Sequence, residues 1–296
     1  IESDRLARSA RLRRWVEAEI DEFQPDVIWA NQPFVWDLLP HAWKSRAILD
    51  THNVNSDRLM RISESTSSWA GRAIARVQAA LTSRFERRYV SEAAQTLAVS
   101  PEDQRSLLAH DRTARVSVIA NGVEPDPAAR RLLISPTEPR KLLFLGSLGY
   151  SANLDALERL AEWLDQSGIE VEVTVAGSGD GRRAAEICAR NPAFRFVGRL
   201  VTVKPALQAH HALIAPHSQG GGSRIKVLEA FGHRLPVIAT AVAVEGTGAS
   251  PGLHFYRAED RDELREAVAA LTSSSVDSVV DAAWGLANSM TWASLS

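Results

Sequence analysis

Short hydrophobic runs rich in β-branched residues alternate along the chain with longer segments that have the 3.6-residue period of amphipathic helices. Strand–helix alternation of this kind is typical of βαβ units and parallel sheets, so it predicts an α/β protein. The longest predicted helix runs from Ala70 to Glu92, and Pro101 begins another helix after a Ser100 cap. The predicted strands occupy residues 26–30, 46–52, 96–100, 116–123, 141–148, 171–179, 194–200, 213–218, 236–241 and 254–258.

The alternation stops between residues 124 and 140, where four prolines interrupt any sustained period. Such a segment is typical of an interdomain linker. It divides the chain into a first domain at residues 1–123 and a second at residues 141–296, each with its own strand–helix series. Two doubly wound α/β domains predict a ligand between them, beyond the carboxyl ends of the strands.

The composition is that of a folded protein with a substantial core, since 45% of the 296 residues are hydrophobic and 24% are charged. A net charge of −2 creates no field that would attract a nucleic acid. The single cysteine, Cys188, excludes an internal disulfide framework, and no apolar run reaches the roughly 18 residues of a membrane span. We therefore expect a cytoplasmic protein. Because the chain opens on an amphipathic helix without a starting methionine, we also expect the first domain to be incomplete.

The most informative segment is HSQGGGSRIKVLEAF, residues 217–231, where a buried strand runs into three glycines and a new helix. Consecutive glycines let the backbone approach a ligand closely, and the start of a helix offers unpaired N–H groups to an anion. Arg224 and Lys226 fall in the first turn, where positive charge opposes the helix dipole and needs a compensating anion. A bound diphosphate provides that anion; the alternative is a flexible turn with two solvated cations. The residues predicted to hold the diphosphate are Gly220, Gly221, Gly222, Ser223, Arg224 and Lys226.

Two further sets of residues extend this predicted site. Glu229, three residues beyond Lys226, suits ribose hydroxyls, although the same spacing also fits a surface ion pair. Gly146 and Ser147 follow another strand, and the N–H groups of residues 146–149 are predicted to face the ligand. Asn153 is predicted to cap the helix that comes next.

Other chemistries find less support. The stretch AGSGDG at residues 176–181 has the form GxGxG rather than the GxGxxG of a nicotinamide site. The sequence has no DxD, no HExxH and no cysteine–histidine cluster, so we expect neither a metal nor a cofactor. His52 ends a strand of the first domain, where a histidine can bind a sugar hydroxyl, shuttle a proton or have a purely structural role. His217, beside the glycine run, is a further candidate for ligand contact.

The chain resembles the family 4, or group 1, glycosyltransferases in an ordered series of motifs: LDTHN, VSVIANGV, KLLFLGSLGYSANLDAL, VEVTVAGSG, FRFVGRLV, LIAPHSQGGGSRIKVLEAFGHRLPVIAT and AVEGTG. The resemblance implies the GT-B fold, in which two Rossmann-like domains face a cleft. It also implies transfer from a nucleoside diphosphate sugar with retention of configuration and without a metal. On this basis Arg224 and Lys226 neutralise the leaving diphosphate, and His52 contacts the transferred sugar. Glu229 then holds the ribose, and the backbone around Gly198 borders the base.

The chain resembles a subset of that family with GSLxYxxN and GGxRxKxLEA forms, and it departs from the wider pattern in three places. The Arg and Lys that many members carry just after the first donor-domain strand are not evident in GSLGYSANLDAL, residues 146–157. Gly221 stands where the first glutamate of an E-x7-E signature is expected, and the glycine-rich acceptor loop of the first domain is not in the sequence. Two alternatives therefore stay open. One is a nucleotide-sugar-binding module or inactive partner subunit, and the other is a GT-B enzyme that is not a transferase, such as a UDP-sugar 2-epimerase. The expected partners are a nucleoside diphosphate sugar, an acceptor (a sugar, a lipid-linked glycan or an aglycone) and a membrane surface touched by the first domain.

Overall fold

The structure is a computed structural model that describes residues 9–66, 68–135, 138–165, 168–179, 181–218 and 224–295, with the side chains of residues 65, 224 and 295 outside the described part. Contacts within the chain divide it into two compact units, Ile1–Ala120 and Asn121–Ser296. Each unit is built on its own parallel sheet, against which helices pack.

The first unit has a four-stranded sheet whose neighbours follow chain order, β1-β2-β3-β4. Its strands are β1 (Ile28–Asn31), β2 (Ala47–Asp50), β3 (Gln95–Ala98) and β4 (Val116–Val118). Its helices are α1 (Ala10–Phe23), α2 (His41–Lys44), α3 (Asn55–Ser65), α4 (Trp69–Glu92) and α5 (Pro101–His110), with a 3-10 helix at Pro33–Leu38. Trp36, Leu49, Tyr89 and Leu107 are fully buried and form the centre of its core.

The second unit has a six-stranded parallel sheet in the order β10-β9-β8-β5-β6-β7. Its strands are β5 (Arg140–Leu145), β6 (Val171–Ala176), β7 (Phe194–Gly198), β8 (Ala212–Ala215), β9 (Val237–Ala239) and β10 (Tyr256–Arg257). Its helices are α6 (Ser151–Leu164), α7 (Arg182–Cys188), α8 (Lys204–Gln208), α9 (Arg224–Gly232), α10 (Ala241–Val244), α11 (Arg261–Ala270), α12 (Val276–Ser289) and α13 (Trp292–Leu295). The strand order reverses between β5 and β8, which pair side by side. Doubly wound sheets bind their ligands at such a switch point, outside the carboxyl ends of the strands.

Strand β5 is buried on both faces of this sheet. Successive residues of a strand point to opposite sides, so Leu142 and Phe144 pack in the cluster that includes α6, while Leu143 and Leu145 pack in the cluster that includes α9. A strand covered on both faces has a continuous apolar sequence, which made β5 recognisable without a structure.

The segment that precedes β5 is anchored on the second unit. The backbone N–H of Val123 donates to the carbonyl oxygen of Met290 at 2.9 Å, and that of Asp126 donates to Gly232 at 2.9 Å. Ala129 is fully buried. The first half of the predicted linker (residues 124–140) is therefore part of the second unit.

The α/β architecture predicted from the sequence is confirmed, since each strand in the described residues overlaps a predicted one. Ser100 caps α5 as expected, accepting a hydrogen bond from the N–H of Asp103. Helix α3 was not predicted, because Val54 at its N-cap position has no capping side chain and the cap comes instead from Glu86, 30 residues beyond Ser56. No helix in the described part of the chain is both long and apolar enough to cross a membrane.

Candidate functional site

A buried lysine lies at the switch point of the second sheet. Lys226, in the first turn of α9, is only 8% exposed, and its Nζ donates to the carbonyl oxygen of Leu145 at 2.6 Å. The same Nζ donates to Oδ1 of Asn153 at 3.2 Å and lies 5.9 Å from the centre of the Phe144 ring. Burial lowers the pKa of Lys226 from its ordinary 10.5 to about 7. Lys226 is therefore not one of the solvated cations of the alternative interpretation.

Asn153 connects this lysine to the loop that follows β5. Its Nδ2 donates to the carbonyl oxygen of Ser147 at 2.8 Å, while its Oδ1 accepts from Lys226. The prediction that Asn153 caps α6 is wrong: the helix begins at Ser151, and its N-cap residue, Tyr150, makes no side-chain cap. The asparagine sits inside the first turn, and its amide is used for contacts with the loop and with Lys226.

His217 completes this buried network from the segment after β8. The imidazole is fully buried and stacks on Phe144, with ring centres 6.1 Å apart and planes 10° apart. Its Nε2 lies 2.9 Å from Oδ1 of Asn153. Because that oxygen only accepts, Nε2 carries the ring proton. Burial, aided by the nearby charge of Lys226, lowers the pKa of His217 to about 3, so the ring is neutral. Enclosed in this way, His217 acts as a support for Asn153 rather than as the ligand contact that we expected.

The glycines beside this network allow two loops to pack closely. A Cβ on Gly146 would lie 2.7 Å from Cγ of Asn153, and a Cβ on Gly177 would lie 1.6 Å from the carbonyl oxygen of Gly146. A Cβ on Gly179, whose φ is +108°, would lie 2.5 Å from the backbone nitrogen of Gly149. Packing between the two loops therefore accounts for the GxGxG stretch without a dinucleotide.

This packing uses some of the amides that were expected to face a ligand. The N–H of Gly146 donates to the carbonyl oxygen of Ala176 at 3.1 Å, and that of Leu148 donates to Ser178 at 2.6 Å. Two of the N–H groups of residues 146–149 are thus bonded within the protein. The expectation that this whole stretch faces a ligand is wrong for those two.

Glu229 lies on the same helix as Lys226 but lines a separate cavity of about 570 Å³. Its carboxyl is half-buried, and burial raises its pKa while the neighbouring His233 opposes the shift. An ion pair between Lys204 and Asp126, 2.8 Å apart, stands in the wall of the same cavity. The other lining residues are Gly122, Val123, Glu124, Pro125, Pro127, Ile225, His233 and Trp292.

Gly198 lies at the carboxyl end of β7, outside the helix that carries Lys226 and Glu229. Its φ is +71°, and its carbonyl oxygen accepts from the N–H of Gly177 at 2.9 Å. Residues 220–223 and the side chain of Arg224 lie outside the described residues. The structure therefore brings the Gly146–Ser147 loop and Lys226 together through Asn153, and it places Glu229 in the neighbouring cavity.

His52 lies in the first unit, just after β2. Its side chain is 45% exposed, and its Nε2 is 3.7 Å from Oδ2 of Asp50. The loop is fixed before His52 by Thr51, whose Oγ1 donates to the carbonyl oxygen of Leu97 at 2.7 Å. Beyond His52 it is fixed by the Glu86 carboxylate, which accepts from backbone N–H groups at the start of α3.

Sequence reasoning missed Glu86, a buried carboxylate that holds the start of α3. One of its oxygens accepts from the N–H groups of Asn55 and Ser56, at 2.8 and 3.2 Å, and the other accepts from the Ser56 hydroxyl. His110 approaches to 3.3 Å. Burial raises the pKa of Glu86, although these hydrogen bonds oppose the shift. No local signal could have revealed this role, because the partners lie 30 residues apart.

The described residues of the second unit thus place a cation, two glycine-containing loops and a helix start at the switch point of a doubly wound sheet. That combination is suited to hold an anion. Among these described residues there is no group of three or more His, Cys, Asp or Glu side chains that could hold a metal ion.

Two family models match consecutive stretches of the chain. The model described as "Glycosyltransferase Family 4" matches residues 2–127, and the model described as "Glycosyl transferases group 1" matches residues 139–274. Both models describe glycosyltransferases, and together they match most of the chain, one on each of its two parallel-sheet units. These matches support transfer of a sugar from a nucleotide sugar. Since both models describe transferases, they disfavour the non-transferase alternative. No curated protein matches the chain at a significant level.

Solved structures share this fold. Sucrose-phosphate synthase from Thermosynechococcus elongatus matches with a TM-score of 0.73 and 16% identity, over 96% of this chain and 74% of that one. Anabaena Alr3699/HepE in complex with UDP matches with a TM-score of 0.68 and 13% identity, over 96% and 79% of the two chains. A glycosyltransferase from Rickettsia africae has a TM-score of 0.67 and 12% identity, over 96% and 78%. These likenesses confirm the predicted fold class, two Rossmann-like domains of the GT-B type.

Proposed function

We propose that the second unit binds the diphosphate of a nucleoside diphosphate sugar against Lys226, and that the sugar passes to an acceptor with retention of configuration. The observation that carries this proposal is a buried ammonium group at the switch point that forms no ion pair with any carboxylate among the described residues. A buried cation without a counter-charge is costly, and an anionic ligand removes that cost.

The leaving diphosphate is proposed to be neutralised by Lys226 together with Arg224. Two cations and the start of α9 would stabilise the charge that develops as the glycosidic bond breaks, the task that a divalent metal has in other enzymes. Gly220, Gly221, Gly222 and Ser223 are proposed to offer backbone N–H groups to the phosphates. Neither a metal nor another cofactor then has a part in the reaction.

The nucleoside is proposed to occupy the cavity beside Glu229. A half-buried carboxyl in a cavity of about 570 Å³ can bond ribose hydroxyls, and the backbone near Gly198 would border the base. The donor sugar would lie against His52 of the first unit. The acceptor is proposed to be a sugar, a lipid-linked glycan or an aglycone, and a contact between the first unit and a membrane surface would suit a lipid-linked one.

The test is calorimetric titration with UDP, GDP, ADP and TDP in the presence of EDTA. We expect at least one of them to bind, and Lys226→Met to weaken its binding roughly 10- to 100-fold, as loss of a charge-assisted bond would. The matched control is Lys141→Met, which removes the same charge at the amino end of β5. Unchanged affinity in Lys226→Met, or binding only with a divalent metal, would contradict the diphosphate assignment.

Retention is tested by product analysis. With a donor of known anomeric configuration, NMR of the anomeric proton in the newly formed product should show the configuration of the donor. Inverted product would overturn the retaining mechanism while leaving diphosphate binding intact.

A further inference from the structure

Two polar side chains from different parts of the second unit meet at one oxygen atom, Oδ1 of Asn153 on α6. Lys226 on α9 donates to it at 3.2 Å, and His217 after β8 approaches it at 2.9 Å. Both are hydrogen donors, because the ammonium has no lone pair and the His217 ring must present its Nε2 proton. Nζ and Nε2 are 3.5 Å apart, so without the shared oxygen the two donors would face each other.

The other end of the same amide holds the loop after β5. Nδ2 of Asn153 donates to the carbonyl oxygen of Ser147, so one side chain spans the distance between the Gly146–Ser147 loop and Lys226. The amide fits there only because residue 146 has no Cβ, which would stand 2.7 Å from Cγ of Asn153. Asn153 therefore links the Gly146–Ser147 loop directly to Lys226 on α9.

Among the described residues, the groups that face the Lys226 ammonium are dipoles rather than anions. From β5 it meets the carbonyl oxygen of Leu145 and the ring of Phe144, and from α6 the amide of Asn153. The neutral His217 ring approaches from the segment after β8, and the cationic Arg159 of α6 also acts on this ring. An ammonium held in a buried site by neutral dipoles loses its proton more readily than one in water, whereas an adjacent phosphate would favour the charged form.

We propose that Asn153 is the positioning residue of the donor site: it holds Lys226 against the Gly146–Ser147 loop where the described residues supply no counter-charge, so that binding of a diphosphate is coupled to uptake of one proton at Lys226. The inference rests on the proposed function, in which the diphosphate binds at Lys226. The burial that lowers the pKa of Lys226 to about 7 supports it and fixes the pH at which the coupling is visible.

The experiment is calorimetry at pH 8 in two buffers of different ionisation enthalpy, using whichever of UDP, GDP, ADP and TDP binds most tightly. At this pH the terminal phosphate is already ionised, since its second pKa is about 6, so protons taken up go to the protein. We expect the wild type to take up about 0.5–1 proton per diphosphate, and its affinity to fall up to about tenfold per pH unit between pH 8 and 9.

The decisive variant is Asn153→Asp, which has nearly the same shape and places a carboxylate beside Nζ. Because that carboxylate keeps Lys226 charged before binding, we expect proton uptake to fall close to zero and the pH dependence of affinity to flatten. Asn191→Asp is the matched control, since it makes the same change in a turn of the second unit where the asparagine accepts from the N–H of Ala193. It should take up as many protons as the wild type.

The outcomes separate this inference from the proposed function. Wild-type binding without proton uptake at pH 8, or equal uptake in Asn153→Asp and the wild type, would overturn the coupling while leaving diphosphate binding in place. Failure of every diphosphate to bind the wild type would overturn both. If Asn153→Asp does not fold, the pH dependence of wild-type affinity decides alone, and an affinity that is constant from pH 8 to 9 overturns the proposal.

Discussion

The buried ammonium of Lys226 should make the second unit less stable than it would be with an apolar side chain. A decrease in pKa from 10.5 to about 7 corresponds to roughly 5 kcal/mol, at about 1.4 kcal/mol for each tenfold change in proton affinity. Replacing the lysine with methionine removes this cost but leaves the carbonyl oxygen of Leu145 without its donor, which costs about 1–3 kcal/mol. We therefore expect Lys226→Met to raise the free energy of unfolding of the second unit by ~2–4 kcal/mol at pH 7.

The pH dependence gives a sharper expectation than the absolute value. Below pH 7 Lys226 is protonated in both the folded and the unfolded chain, so the full cost is present. Between pH 7 and 10.5 the unfolded chain binds more protons than the folded one, and wild-type stability rises with pH. The advantage of Lys226→Met should thus shrink by up to about 1.4 kcal/mol per pH unit in that range.

Urea titrations at pH 7, 8 and 9 measure this difference, with unfolding of the second unit followed by hydrogen exchange of peptides from β5 and β8. Following these peptides is necessary because a chain of two units does not unfold in a single two-state step. A variant that is less stable than the wild type at pH 7, or a stability difference that does not change with pH, would refute this account of the buried lysine.

Three other substitutions test the packing and charge of both units. Gly146→Ala places a Cβ against the amide of Asn153 and should weaken diphosphate binding about tenfold in calorimetry, whereas Gly149→Ala, whose Cβ would meet nothing closer than 4.0 Å, should bind like the wild type. The added Cβ of Gly177→Ala would collide with a backbone oxygen at 1.6 Å. This should lower the stability of the second unit by about 1–3 kcal/mol or more, seen as a lower melting temperature. Glu86 has a raised pKa, so its ionisation lowers the stability of the first unit as pH rises above 4.5. Thermal denaturation at pH 4.5 and 7 should therefore show Glu86→Gln becoming more stable relative to the wild type at the higher pH. A stability difference that is the same at both pH values would contradict this.

Much of the fold could be predicted because its signals are local. The apolar run of β5 and the Ser100–Pro101 helix start are each contained in a few consecutive residues. The order of the strands in the sheet was not predicted from the pattern, since it depends on which strands pair across long connections. Helix α3 was missed because its cap is also not local: it is Glu86, a side chain of helix α4.

The candidate site was likewise predictable where its signals are local and not where it depends on contacts between distant residues. The glycine-containing segments and Lys226 are visible as motifs, and the structure places Nζ of Lys226 at the carboxyl end of β5, where doubly wound sheets bind ligands. The positions of Asn153 and His217 were not predictable, since they are 73 and 9 residues away from Lys226 in the sequence and meet it only in the folded unit. Local rules assigned Asn153 to a helix cap, the commonest use of an asparagine at a helix start, and tertiary contacts overrode that preference.

The central claim is that a diphosphate meets Lys226 at the switch point of the second sheet. The most direct test is a crystal structure of the protein with the best-binding nucleoside diphosphate, grown without divalent metal. We predict a phosphate oxygen at about 2.7–2.9 Å from Nζ of Lys226, the length of a charge-assisted bond. A diphosphate bound elsewhere, with Lys226 still bonded only to Leu145 and Asn153, would contradict the account.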